Sequence, residues 1–516
     1  MATVVKIDSN VTELRIAEED SPKVLPGTPT WHPLEPNSYG DFGGEITTIA
    51  RETINPSRQR QKGSVVDKSA NGGFISDLTQ KGLMVPMPGL FFANWRRKDE
   101  FGVTAGTFTA VTTSDDSYNA ASGLSIFSVG ALVVAAGFTN GTNNGLKNVA
   151  TVASGKVTVS QNLVDETPPA GASLVEVGFQ FGAGEASITA TGGQFPRLTR
   201  ASGTKDFTDF QLIPGEIVYI GGDSAATKFA TAANNGFCRV RSVAATYIEF
   251  DKTASTMVTD AGAAKTIQIF FGRVLKNESS PSLIVKKSYQ LERILGVPDD
   301  VITDQQAEYI LGAYANTASI SMQSADKVTV DIGFVGLDTE VVDGDSTVIK
   351  TGNRPALVAS ELFNTSSTIR KIKLNQVSTT DSNPTALFSY LENLTLEVDN
   401  GITLDKAVGV LGGFAVSIGD FMVKSSMSAY FATVAAISAV QNNLDFTMEV
   451  HFVKSNAGIS FDMPLLTLGG GKPDVQKNMA VKVPLQLEAN SGAKVSTTLD
   501  HTLLMVVWDY LPSAAG

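Results

Sequence analysis

A mainly β fold is predicted for this 516-residue chain by three features of its sequence. The last third alternates with a period of two, an internal segment recurs with the same apolar spacing, and Gly, Asn and Pro punctuate the runs between. Leu444, Phe446, Met448, Val450 and Phe452 alternate with polar neighbours, as do Val481, Val483, Leu485 and Leu487, then Leu499, His501, Leu503, Met505 and Val507. A period of two places each set on one face of a sheet. Strands this long with no chemistry between them indicate a chain built for shape and assembly.

Taken in order, residues 1–30 are poorly periodic and are expected to form an arm. Glu45–Ile54 reads as a strand, broken by Asn55-Pro56 and followed by a basic stretch with Arg58, Arg60 and Lys62. Asn71-Gly72-Gly73 marks a turn before a further strand over Phe74–Leu78. From residue 101 to about 272 the chain becomes rich in Gly, Ala, Ser and Thr and contains a repeat. Asn143-Asn144-Gly145 recurs 91 residues later as Asn234-Asn235-Gly236. Leu146, Val149, Val152, Val157 and Val159 then match Phe237, Val240, Val243, Ile248 and Phe250 without a gap. Asn-Gly favours tight turns, so two small all-β modules are expected at about 121–165 and 205–255. Thr303-Asp304-Gln305-Gln306 resembles a capping box, and Ala307, Ile310, Leu311 and Tyr314 fall at helical spacing, which predicts a helix over 303–314. Ser319–Asp338 reads as strands, 346–385 as a linker, and Leu394 onward as strands interrupted by a helix near Ser428–Val440.

The apolar fraction of 42% and charged fraction of 18% describe a folded chain. A net charge of -12 excludes a protein that grips phosphates with clustered Lys and Arg, though not one that lets nucleic acid pass. Cys238 is the single cysteine, so no disulfide framework exists within the chain. The opening residues show no signal peptide, the longest apolar runs are about half the ~20 residues of a membrane helix, and a cytosolic origin without membrane insertion is expected.

Catalytic and cofactor chemistry is not legible, and no enzyme, metal site or cofactor is expected. His32, His451 and His501 are the only histidines and have no ligand spacing. Gly469-Gly470-Gly471-Lys472 precedes Pro473 rather than Ser or Thr and lacks the spacing of a phosphate loop.

The run from Glu45 to Leu78, Leu394–Asn400, Gly419–Val423 and Phe461–Leu465 together resemble the tail tube (major tail) proteins of long-tailed bacteriophages. The resemblance implies a tail-tube β-sandwich or barrel with flanking helices, whose rings stack into a hollow conduit for DNA during ejection. Similar layouts from Ile46 and from Leu394 suggest two tube modules: 31–100 with 273–345, and 386–516, or one enlarged module ending in 386–516. The segment 101–272 is then an insertion. Rings of three chains with pseudo-six-fold symmetry, or of six, are expected in a virion tail assembled in the host cytoplasm. Tape-measure, tail-terminator and tail-tip proteins are the implied partners, with double-stranded DNA passing without specific binding. The inner tube of a contractile apparatus and a bacterial surface adhesin built of β modules are the alternatives. Asp331, Glu397, Asp399, Glu449 and Glu488 are candidate lumen acids, because a mildly acidic bore repels duplex DNA weakly from all sides. Arg51, Arg58, Arg60 and Lys62 are candidate inter-ring contacts, and Arg96, Arg97 and Lys98 form a second basic cluster.

Overall fold

The computed structural model describes residues 6–515 apart from 55, 58, 97, 104, 105, 202–204, 299–303, 346–349 and 359. Arg58 and Arg97 therefore lie outside the described residues. Two sets of strands carry the fold. The first comprises β1 (Glu13–Glu18), β2 (Gly43–Arg51), β3 (Gln61–Asp77), α1 (Pro86–Phe91), β4 (Tyr289–Gly296), β5 (Asp304–Gln323), β6 (Thr329–Gly336) and β7 (Asp338–Asp345). The second comprises β8 (Ile369–Gln376), β9 (Leu391–Asp399), β10 (Met422–Tyr430), α2 (Ala435–Gln441), β11 (Phe446–Lys454), β12 (Ala457–Gly470), β13 (Lys482–Asn490) and β14 (Leu504–Trp508).

The two sets pair in the same order. In the first, β1 pairs with β4, β4 with β5, β5 with both β7 and β6, β6 with β3, and β3 with β2. In the second, β8 pairs with β11, β11 with β12, β12 with both β14 and β13, β13 with β10, and β10 with β9. One irregularity recurs: the β4–β5 ladder shifts between Tyr289 and Leu291, and the β11–β12 ladder shifts between Phe446 and Met448. The sets are joined edge to edge, because β9 pairs with the second half of β5 from Thr317↔Asp399 to Gln323↔Asn393. A single apolar core, including Phe74, Leu291, Ile320, Leu396, Met448 and Phe461, runs through both sets.

Four expectations are corrected. Thr303 lies outside the described residues, and the rest of the helix expected over 303–314 is instead part of β5, which is paired on both edges and buried on both faces, with Tyr309 against Trp31 and Ile310 in the main core. Two-sided burial and a register shift erase the period of two and leave apolar residues at helix-like intervals. The second helix is confined to Ala435–Gln441, since β10 continues to Tyr430. The expected linker contains β8, and the expected arm contains β1, which pairs with β4 and with His32–Leu34.

The described part of 101–272, the expected insertion, also consists of two halves with one scheme. Phe108–Thr112, Ser117–Ala120, Lys156–Val159, Gly145–Ala153, Ala131–Ala136 and Ser173–Gln180 pair in that order. Ala186–Thr189, Arg197–Arg200, Tyr247–Thr253, Gly236–Ala244, Ile217–Ile220 and Gln268–Phe270 follow the same order. Each half has its own core. Both therefore extend past the segments at 121–165 and 205–255, gaining a hairpin before and a strand after. The repeated Asn-Asn-Gly is not a hairpin turn. Asn144 and Asn235 each accept a hydrogen bond at Oδ1, from the amides of Phe138 and Phe229, and donate from Nδ2 to the carbonyls of those residues. Asn143 and Asn234 likewise bridge to Val164 and Val258. The asparagines are repeated because their side chains substitute for missing backbone partners in matching loops.

Candidate functional site

Directly opposed residues in a sheet share a face. The register therefore assembles one cross-strand row: Asp331 on β6, Ser319 on β5, Glu397 on β9, Lys424 on β10, Glu488 on β13 and Thr467 on β12. A second row runs Thr329, Ser321, Thr395, Ser426, Gln486 and Gly469 along the same strands. Asp399 shares the face opposite Thr317. The row between them, Val330, Ile320, Leu396, Ser425, Leu487 and Leu468, faces the core. The result is a wide sheet face spanning both strand sets, surfaced by short polar side chains, with Asp331, Glu397, Asp399 and Glu488 against Lys424. Partial burial raises the Asp331 carboxyl above the ordinary range. Such a surface, built of short polar side chains, has few apolar atoms to hold a ligand.

Four of the five predicted acids thus come together, and Glu449 does not. Glu449 is buried on β11, on the sheet face that the insertion covers. Lys371 approaches its carboxylate at 2.9 Å and Lys252 of the insertion at 3.8 Å. Burial alone would raise this carboxyl, but Lys252 and Lys371 outweigh it and hold Glu449 well below the ordinary range. Burial in turn pulls the Lys252 ammonium down to about 8.

Beside it, Arg239 of the insertion donates to Asp251 at 2.8 and 2.9 Å, to Asp462 of β12 at 3.1 Å and to Thr447 of β11 at 3.0 Å. His501 Nε2 lies 3.3 Å from Asp462, while His451 bonds Ser460 at 2.9 Å and stacks on Phe237 with centroids 4.4 Å apart. Both histidines are fully buried. An apolar seam of Ile217, Phe237, Phe270, Val453, Leu504 and Trp508 continues the joint. The insertion therefore docks on the outer side of the β8–β11–β12–β14 sheet. The polar face lies across the core from it.

Among the basic residues, Arg51, Arg60 and Lys62 are exposed at the far end of the β2–β3 hairpin. Arg96, partly exposed, pairs with Glu278 at 2.9 Å, and Lys98, its side chain buried, pairs with Glu216 of the 101–272 segment at 3.3 Å. Sequence reasoning selected acids by sign and missed Lys424 and the Ser and Thr positions between them. The signal was present, since each of those residues alternates with a core residue on its own strand.

A family model described as phage tail tube protein matches residues 9–491. No curated protein matches the chain.

Proposed function

We propose, from the premise that this chain belongs to the phage tail tube protein family, that it is the ring-forming subunit of a hollow tail tube. It is a structural component of the phage tail, and each chain supplies two tube modules, the first strand set and the second. Three chains make a ring of six modules, and rings stack into the conduit. The polar face built from Asp331, Ser319, Glu397, Lys424, Glu488 and Thr467 turns to the bore, and this row is the observation that carries the reading.

Duplex DNA carries about one charge per 1.7 Å. A wall of short hydroxyl and amide side chains, with carboxylates exceeding ammonium groups, offers it no persistent partner and repels it weakly. Screening limits the effect to within about 8–10 Å of the wall. The insertion, on the opposite side of the sandwich, then decorates the exterior, and the exposed Arg51, Arg60 and Lys62 reach toward the neighbouring ring. Tape-measure and tail-tip proteins complete the assembly.

Electron microscopy of the purified protein should give striated hollow filaments with the Glu397 and Glu488 strands on the inner wall. Replacing both glutamates with lysine changes this face from four carboxylates and one ammonium to two carboxylates and three ammonium groups. Tubes of that variant should retain duplex DNA at low salt and release it as salt rises. A map that places the polar face on the outer wall overturns the reading.

A further inference from the structure

The junction inside one chain predicts the junction between chains. On β5, Ala318 pairs with Ile332 of β6 on one edge and with Val398 of β9 on the other. On β12, Leu466 pairs with Ala489 of β13 on one edge and with Phe446 of β11 on the other. Beyond Leu466 the β11 side of this segment has no strand partner among the described residues. Matching the two strand sets through their shared ladder shift, and discounting the extra residue at the β5–β6 shift between Ala315 and Thr317, places Gly469 where Thr317 stands and Pro473 where Ser321 stands. The edge that receives β9 in the first set is therefore open in the second.

The complementary edge is open too. Ser38 and Glu45 hold the positions of Asn393 and Asp399, because they pair with Ile75 and Ser69 as those residues pair with Ser428 and Met422. Among the described residues, Pro36–Tyr39 and β2 pair only with β3. Residues Glu45–Arg51 are exposed throughout, including Ile46 at 56% and Ile49 at 60%. In the second set the matching loop after β9 is covered: Ile402, Leu404 and Val416 pack on Tyr314 and Leu337, and Lys406 pairs with Asp67. An unpaired strand edge bearing apolar side chains is a template for another chain.

We infer that the Ser38–Glu45 edge of one copy pairs antiparallel with Gly469–Asp474 of a second copy, head to tail, repeating between chains the β5–β9 junction within each. The inference rests on the tube-subunit reading and names that subunit's own partner surface. Gly470 and Gly471, both at φ +84°, bend this segment in the free chain, and glycine alone can leave that conformation for a strand without a side-chain clash. The contact is heterologous, so it propagates until the ring closes.

The test is a Glu45→Cys, Gly469→Cys variant of the full chain, oxidised after assembly and run without reductant. Thr317→Cys, Asp399→Cys serves as the intrachain counterpart. The expected result is a ladder of covalently linked chains for the first pair and intrachain closure for the second. A ladder that stops at three supports the junction and the ring together, whereas one that stops at another number supports the junction and overturns the three-chain ring. Rings seen by microscopy with only unlinked chains on the gel overturn the junction. Hydrogen exchange on the wild-type protein reads the same contact without substitutions, and slower exchange on assembly is expected at Ser38–Glu45 and at Gly469–Asp474. Unchanged exchange at both, in assembled material, overturns it. Wild-type protein that never assembles at high concentration overturns the tube reading and the junction with it.

Discussion

Arg239 is where one substitution should cost most. Its guanidinium is fully buried and neutralises two carboxylates, Asp251 and Asp462, that are themselves buried. Arg239→Met keeps much of the volume but removes the direct ion-pair partner of both carboxylates, leaving Asp462 with His501 and the more distant Lys252. Removing one partner of a buried pair costs about 3–5 kcal/mol, far more than the pair's net worth, because the remaining charge is stranded in a poor dielectric. Arg241, two residues on and a third exposed, pairs with Glu249 at 3.3 Å. Its replacement by alanine should cost under about 1 kcal/mol. Urea unfolding of the two variants, with hydrogen exchange followed at Gly236–Ala244, separates global from local loss. Arg239→Met should lower the midpoint and accelerate exchange across that strand, and adding Asp251→Asn with Asp462→Asn should restore much of the loss. A stability change below about 1 kcal/mol for Arg239→Met alone would refute the claim that the insertion is held by a desolvated charge cluster.

Three further outcomes are expected. The folded state holds Glu449 and Asp462 below their ordinary values, so they stabilise the docked insertion above those values and the contribution is lost as pH falls through the folded ones. Burial also holds His451 below its ordinary value of 6.5, so a first loss begins as the unfolded chain takes up that proton. Protection in the insertion, corrected for the intrinsic pH dependence of exchange, should fall first below about pH 6.5 and again below about pH 4.5, whereas constant protection across both steps would contradict this. Asn144→Ala and Asn235→Ala each strand the Phe138 or Phe229 amide and should destabilise by similar amounts, about 1–3 kcal/mol, in thermal or denaturant unfolding; a large effect at one site only would argue against matched roles. Ile46→Asp with Ile49→Asp should leave the stability of the unassembled chain within about 0.5 kcal/mol while preventing filament formation, because both side chains are already in solvent; normal filaments from this variant would remove the β2 edge from assembly.

Alternation along the chain determined a great deal by itself. It separates Leu485 and Leu487 from Gln486 and Glu488, and Leu394 and Leu396 from Thr395 and Glu397, because a strand's side chains must point alternately to opposite faces. The repeated Asn-Asn-Gly with its gapless apolar register identified the two halves of the insertion, since identical pairings need identical spacing. Period two says which residues share a face but not what lies over that face. Glu449 alternates as Glu397 does, and only the docking of Arg239, Lys252 and Phe237 from residues some two hundred positions earlier makes it a buried charge. The pairing of β9 with β5, and the open edges it leaves at Ser38–Glu45 and Gly469–Asp474, were likewise decided in three dimensions, because strand partners are chosen by tertiary packing and backbone hydrogen bonds, which leave no local trace in the sequence.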